Sequence, residues 1–172
     1  MIICSVSENE NLEKRISITP EIAKKYINLG FEVHLSEKYG KHLGFNEKDY
    51  SEAGTKFISD HEKLLDNADI IIQMGLFDEN KIKFLKSNQI YIGVLNQYEN
   101  KKKIDELLKK KVTLFSLDLL PRITRAQSMD ILSSQANLAG YKAVVESFSI
   151  FEKAIPMMMT AAGTIPAAKV LV

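Results

Sequence analysis

The chain has 172 residues, with 23 Lys and Arg against 22 Asp and Glu, which gives a formal net charge of +1. Its 45% hydrophobic and 26% charged residues are typical of a globular protein and exclude a disordered, collagen-like or coiled-coil chain. The near-zero charge argues against a nucleic-acid partner, and the single cysteine, Cys4, excludes an intrachain disulfide and a cysteine-based metal site. Every apolar run is shorter than the ~18 residues of a membrane-spanning helix, so no direct membrane insertion is expected.

The chain begins with an alternation of short apolar runs and helix-like segments. Ile2–Val6 is mostly β-branched, which is typical of a buried parallel strand. Thr19 is predicted as a helix N-cap because Pro20 follows at the first helical position, and Gly30 is predicted to end that helix. Phe31–Leu35 is then predicted as the second strand.

The same alternation continues to about residue 116. The further predicted strands are Asp69–Met74, Ile90–Leu95 and Val112–Ser116, and the further predicted helices are Asp60–Asn67, Asp78–Leu85 and Glu99–Lys110. Strands that alternate regularly with crossover helices favour a parallel sheet covered by helices on both faces.

The last stretch of the chain differs in texture. Residues 128–153 carry apolar residues at helical spacing and predict one helix of about 24 residues, ~36 Å long, which suits a bridge between two domains. Ala167–Val172 is predicted as a strand that enters a new βα unit. A Rossmann domain begins with such a strand, followed by G-x-G-x-x-G, and no such motif follows here. We therefore expect residues 154–172 to be the start of a truncated Rossmann domain and the chain to be a fragment.

The densest polar cluster at an element boundary is residues 120–130, between the last predicted strand of the sheet and the long helix. Ligands of open α/β sheets bind outside the carboxyl ends of the strands. In this cluster Arg122 supplies charged donors, Gln127 can donate and accept, and Asp130 accepts. Ser133 lies three residues after Asp130, so the two share a helix face. The cluster is therefore the first candidate site.

Both candidate sites also have a purely structural interpretation. In the polar cluster, Ser128 or Thr124 caps the helix, Asp130 complements the helix dipole, and the arginines are solvated. Arg15, in the loop after the first strand, is the second candidate, since a guanidinium there can bind a ligand carboxylate or form a structural ion pair. No histidine has the spacing of a metal ligand, so no metal site is predicted.

Four stretches of the sequence resemble the alpha subunit of the proton-translocating NAD(P) transhydrogenases, to which alanine dehydrogenases are closely related. They are EKRISITP at 13–20, LGFEV at 29–33, PRITRAQSMDILSSQANLAGY at 121–141 and AAGTIPAAKVLV at 161–172. The likeness is to the N-terminal half of the NAD(H)-binding domain I. The third stretch is highly specific, whereas the first is shared with alanine dehydrogenases.

With this resemblance the predicted fold is α/β and has three segments. A flavodoxin-like parallel-sheet domain spans 1–127, a long inter-domain helix spans 128–153, and the first strand of a truncated Rossmann domain lies within 154–172.

The resemblance implies that residues of the polar cluster contact the nicotinamide end of NAD(H). Arg122 and Asp130 would hold the nicotinamide and its ribose, and Ser133 would support Asp130 or the carboxamide. Gln127 would reach toward NADP(H) on a partner domain, so Gln127 and Asp130 are assigned to the hydride-transfer site, and Ser128 is grouped with the cofactor-binding residues. Direct hydride transfer needs no acid–base residue, only two rings held in near-attack geometry.

The resemblance also implies partners and a location. Family members form homodimers and act with an NADP(H)-binding domain and a membrane subunit, and Re/Si-specific hydride transfer is coupled to proton translocation. The chain would then be cytoplasmic and peripheral to the inner membrane through those partners. By itself it is expected to be inactive, because the Rossmann domain is missing.

Two departures separate this chain from alanine dehydrogenases. Those enzymes bind the pyruvate carboxylate and carbonyl with a Lys near the end of the third main strand and a His near the end of the next. The corresponding positions here are Gln73 and Gly93–Leu95, which contain neither residue. An alanine dehydrogenase-like oxidoreductase is therefore the first alternative, and an inactive fragment or assembly module of the same fold is the second.

Overall fold

A computed structural model describes residues 1–171, which form two compact units, Met1–Pro121 and a second unit that begins at Arg122. The first unit contains a six-stranded sheet in which all paired strands run parallel, in the order β3-β2-β1-β4-β5-β6. The strands are β1 (Ile2–Ser5), β2 (Glu32–Ser36), β3 (Lys56–Ile58), β4 (Ile70–Ile72), β5 (Ile90–Gly93) and β6 (Thr113–Ser116).

Helices connect these strands and continue into the second unit. The α-helices are α1 (Pro20–Asn28), α2 (Glu47–Ser51), α3 (His61–Asp66), α4 (Glu79–Ile82), α5 (Lys101–Lys109) and α6 (Ile131–Ile150), and the 3-10 helices are Lys41–Leu43, Leu117–Leu119 and Thr124–Met129. Within residues 1–171, no helix is both long enough and apolar enough to cross a membrane.

The predicted α/β parallel-sheet class is confirmed. All five predicted strands of the sheet are present, and without β3 their spatial order is that of the flavodoxin-like doubly wound sheets. The structure adds β3, which pairs with β2 at the edge of the sheet. Since β3 has only three residues and Lys56 at its start is exposed, it carries no apolar run that would reveal it.

The first helix begins and ends where its sequence predicts. The Thr19 side chain accepts a hydrogen bond from the Ile22 N–H at 3.4 Å, and Pro20 occupies the first turn. Gly30 follows the helix at a φ of +90°, a left-handed conformation that an L side chain rarely adopts. These two ends direct the chain from β1 to β2 across one face of the sheet.

The core lies on both faces of the sheet because successive side chains of a strand point to opposite faces. On β1, Ile3 packs in a cluster with Ala23 of α1 and Tyr50 of α2. The neighbouring Cys4 packs in the other cluster, with side chains of α3, α4 and α5 such as Leu107. Burial raises the pKa of the Cys4 thiol to about 12, so this cysteine is inert at neutral pH.

In the second unit the predicted long helix is present but shorter at both ends. α6 has 20 residues and starts at Ile131 rather than Ser128, because residues 124–129 form a 3-10 helix and Asp130 is the N-cap. It stops at Ile150, where Phe151 takes an extended backbone conformation, rather than continuing to Lys153.

The strand predicted at Ala167–Val172 is wrong for residues 167–171, which form no strand, and Val172 lies outside the described residues. A strand needs a neighbour for its backbone hydrogen bonds, and apolar character alone does not provide one. The second unit instead contains an antiparallel hairpin, β7 (Met158–Thr160) and β8 (Gly163–Ile165). Its turn lies within the small-residue stretch predicted to be a turn.

Candidate functional site

The candidate site is the polar turn, defined here as residues 122–133 of the second unit. Asp130 organises it as the N-cap of α6. One carboxylate oxygen accepts from the Ser133 N–H at 3.0 Å, and the other accepts from the Ser133 hydroxyl at 2.6 Å. The Asp130 carbonyl accepts from the Ser134 hydroxyl at 2.9 Å. Asp130 and Ser133, predicted to share a helix face, are therefore in direct contact.

An open cavity of about 340 Å³ lies on the polar turn. Its lining combines a guanidinium, an amide, a carboxylate, two hydroxyl groups and one apolar side chain, contributed by Arg122, Gln127, Asp130, Ser133, Thr124 and Ile123. Four of these six residues were singled out from the sequence as cofactor-binding residues. Such a lining can donate and accept hydrogen bonds to a polar, partly flat ligand.

The electrostatics of the polar turn keep Asp130 ionised. The hydrogen bonds from the Ser133 side chain and backbone lower the pKa of the Asp130 carboxyl, and the positive charge of Arg122 acts in the same direction. Asp130 also lies at the positive end of the α6 dipole. The carboxylate is therefore a fixed acceptor, and its two oxygens retain lone pairs beyond those that Ser133 uses.

The structure separates Ser128 from the other predicted site residues. Ser128 is exposed within the 3-10 helix and does not line the cavity. Neither Ser128 nor Thr124 caps α6, as the structural interpretation had it, because the Asp130 side chain takes that position. Ile123 and Thr124 were not predicted to line the site. An apolar residue beside charged ones carries no sequence signal of that role.

Arg15, the second candidate, forms the structural ion pair that was one of its two interpretations. Its Nε donates to one carboxylate oxygen of Glu13 at 2.8 Å, and a terminal nitrogen donates to the other at 2.6 Å. This two-point pairing raises the pKa of Arg15 and lowers that of Glu13. Both side chains remain partly exposed.

A second polar group, which the sequence reasoning did not recognise as one unit, lies at the carboxyl edge of the first unit's sheet. Gln73, directly after β4, is 3% exposed. Its side-chain amide accepts from the Val6 N–H at 3.1 Å and donates to the Val6 carbonyl at 2.6 Å. The Ser5 hydroxyl also donates to this amide, at 3.2 Å. Gln73 thus hydrogen-bonds within the protein, at the position where alanine dehydrogenases were expected to have Lys.

Glu8 lies half-buried beside this group. Its carboxylate accepts from the Met74 N–H at 2.9 Å. Burial raises the pKa of Glu8, and this effect exceeds the opposing effect of its hydrogen bonds to Met74 and Gln73. Among the described residues of the chain, no group of three or more His, Cys, Asp or Glu side chains is placed to hold a metal ion.

A sequence model of the family described as alanine dehydrogenase/PNT, N-terminal domain, matches residues 5–139. The chain therefore belongs to this family. It is 41% identical over 176 residues to an NAD(P) transhydrogenase subunit alpha of Rickettsia prowazekii, an alignment that covers 100% of this chain and 46% of the relative. The protein of the same name from Rhodospirillum rubrum is 39% identical over 177 residues, with 100% and 46% covered. The resemblance found in the sequence is confirmed.

Solved structures agree with this assignment. The transhydrogenase from Sinorhizobium meliloti matches with a TM-score of 0.89 and 37% identity, over 98% of this chain and 50% of that one. An L-alanine dehydrogenase matches with a TM-score of 0.64 and 17% identity, over 69% and 32%, and shares the fold. The chain spans about half the length of the curated relatives it matches, since 46% of each is covered.

Proposed function

We propose that the chain belongs to the NAD(H)-binding component of a proton-translocating NAD(P) transhydrogenase. The observation that carries the proposal is the identity of 41% to a transhydrogenase subunit alpha over the whole chain, together with the polar cavity at residues 122–133. In this role the chain binds the nicotinamide end of NAD(H), and hydride passes between NAD(H) and NADP(H) bound by a partner domain.

The residues that line the polar turn fit a nicotinamide and its ribose. A carboxamide presents one acceptor and two donor hydrogens, and ribose hydroxyls both donate and accept. Arg122 and Gln127 supply donors on one side of the cavity, while the ionised Asp130 supplies acceptors and is held in place by Ser133. When bound, the cofactor supplies hydride chemistry. The task of these side chains is to orient the ring and exclude alternative poses.

Contacts to the rest of the dinucleotide belong, in this proposal, to polypeptide equivalent to the half of the relatives outside the alignment. By itself the chain is inactive. It acts as a homodimer with an NADP(H)-binding domain and a membrane subunit, so that it is peripheral to the cytoplasmic side of the inner membrane. Supporting partners of this kind, α6 and the hairpin expose large apolar side chains such as Tyr141, Phe148 and Met159.

Two substitutions in the polar turn test the proposal in the enzyme assembled from this chain and its partner polypeptides. Asp130→Asn and Arg122→Ala should each slow hydride transfer roughly tenfold or more, where each tenfold corresponds to ~1.4 kcal/mol. Asp130→Asn retains a good N-cap, so a slower rate reports on the ligand and not on α6. Arg125→Ala is the matched control, because Arg125 is exposed and does not line the cavity.

Two results would contradict the proposal. If Asp130→Asn and Arg122→Ala leave the rate unchanged, the polar turn does not hold the nicotinamide. If the assembled protein forms NADH from alanine and NAD and shows no transfer between NAD(H) and NADP(H), it is an alanine dehydrogenase-like oxidoreductase. Absence of both activities would instead indicate an inactive fragment or assembly module.

A further inference from the structure

The carboxyl edge of the six-stranded sheet contains the point at which a doubly wound fold usually binds its ligand. From β1 the sheet extends through β2 and β3 on one side and through β4, β5 and β6 on the other. The chain direction therefore reverses between β1 and β4. The connections that leave two such strands diverge, and the crevice between them is the usual ligand position.

In this protein the side chain of Gln73 spans that gap. The β1–β4 ladder pairs Ile3 with Ile70 and Cys4 with Ile71. Two residues after Ile71, the Gln73 N–H stays with the other neighbour and donates to the Ile92 carbonyl at 3.0 Å. The Gln73 amide extends to β1 and bonds both the N–H and the carbonyl of one residue, Val6. This amide replaces a strand's peptide group at the place where β1 and β4 diverge.

The surroundings hold the Gln73 amide in this position. Its oxygen also accepts from the Ser5 hydroxyl, which shares a 2.9 Å hydrogen bond with the buried Tyr39 hydroxyl. On the β5 side, a Cβ added to Gly93 would lie 2.6 Å from the Gln73 carbonyl oxygen, so the two backbones are in close contact. Gln73 cannot move away from β1 toward β5.

We propose that Gln73 closes the ligand crevice of residues 1–121 and determines the specificity of that edge. Its amide occupies the donor and acceptor of Val6, the pair that a small carboxylic acid, 2-oxo acid or primary amide would otherwise bind. Such ligands are excluded from the sheet edge. This closure is a property of the first unit, so the rate of hydride transfer in polar-turn variants has no bearing on it.

The test uses the isotope-labelled full chain and follows backbone amide signals by NMR. In the wild-type chain, pyruvate and propionamide at millimolar concentration should leave the signals of Val6, Ser7 and Met74 unmoved. Gln73→Ala frees the Val6 N–H and carbonyl, so propionamide should shift the Val6 signal in a saturable way. Gln73→Met fills the same space without an amide and should show no shift.

Gln89→Ala is the matched control, because Gln89 is also buried and its amide donates to the carbonyls of Leu65 and Ala68, away from this edge. It should leave Val6 insensitive to propionamide. A wild-type Val6 signal that moves with pyruvate would overturn the proposal. So would a folded Gln73→Ala chain whose Val6 signal ignores propionamide. If Gln73→Ala does not fold, Gln73→Ser takes its place under the same criterion.

Discussion

The two units of this protein are stabilised in different ways. Residues 1–121 bury two apolar clusters against the two faces of a parallel sheet. Among the described residues from 122 onward, Ala126 is the only buried one. Along α6, Leu138 is 59% exposed and Val144 is 52% exposed, although both are apolar. The first unit is thus held by buried area, and the second by local hydrogen bonds.

This difference bears directly on the candidate site. The polar turn belongs to the second unit, where the Asp130 cap and the hydrogen bonds of Ser133 and Ser134 are the main ordering contacts near the cavity. An exposed apolar surface next to such a turn is typical of a surface that a partner covers. The comparison therefore predicts that core substitutions are costly in the first unit and mild in the second.

The largest effect should come from a pair of leucines on two helices. Leu107 of α5 is fully buried and Leu138 of α6 is largely exposed. Leu107→Ala should lower the free energy of unfolding by about 2–5 kcal/mol, because it removes buried contacts and leaves a cavity. Leu138→Ala should change it by no more than about 0.5 kcal/mol. Urea titration of the isolated chain measures both.

An equal loss in the two leucine variants would break the comparison. It would mean that Leu138 is buried in solution, for example against a second copy of the chain. Repeating the titration over a range of protein concentrations distinguishes this case, because the stability of an associated chain depends on concentration.

A smaller effect is expected from a lysine that secures α4 within the first unit. The Lys110 ammonium donates to three carbonyls at the end of that helix, those of Ile82, Lys83 and Leu85, at 3.0, 2.8 and 3.3 Å. Lys110→Met should cost about 1 kcal/mol, because a cation that complements a helix C-terminus is lost. Lys109→Met, at the exposed neighbouring position, should cost much less. Similar losses for both would show that general charge matters and the three carbonyls do not.

In the second unit the cap of α6 offers a local test. Asp130→Ala removes the acceptor of the Ser133 N–H, whereas Asp130→Asn keeps an acceptor at the same position. Hydrogen exchange in the first turn of α6 should become faster in the alanine variant and stay close to the wild-type rate in the asparagine variant. Unchanged exchange in both would mean that contacts other than the cap order the polar turn.

The contrast between the units also explains what could be predicted from the sequence. The strands of the sheet show as β-branched runs because each is buried among neighbours, and the Thr19 cap and Gly30 end are local signals. The short strand β3 and the hairpin carry no such run, and a strand at Ala167–Val172 depends on a neighbour that local sequence does not specify. Pairing across distant segments decides these cases.

The candidate site follows the same rule. Arg122, Gln127, Asp130 and Ser133 were identified from their chemistry and position, and the structure brings them to one cavity. Ser128 was grouped with them because spacing alone does not reveal that the preceding turn is a 3-10 helix. The role of Gln73 was out of reach as well. A polar residue at a strand end gives no sign that its amide bonds a backbone 67 positions earlier.

The smallest expected effect lies at the closed edge of the first unit and depends on pH. Burial raises the pKa of Glu8 in the folded chain, so the ionised form is less favourable there than in the unfolded chain. Stability from this group is present below the usual pKa of Glu and is lost as the pH rises through the folded value. Glu8→Gln keeps an acceptor for the Met74 N–H without a charge, so its melting temperature should exceed that of the wild type at neutral pH. The gain should stay below about 1 kcal/mol, since solvent screens a half-exposed group, and should vanish near pH ~4. Thermal unfolding from acid to neutral pH, with the exposed Glu10→Gln as control, measures it, and a gain that is constant with pH would refute this account of the edge.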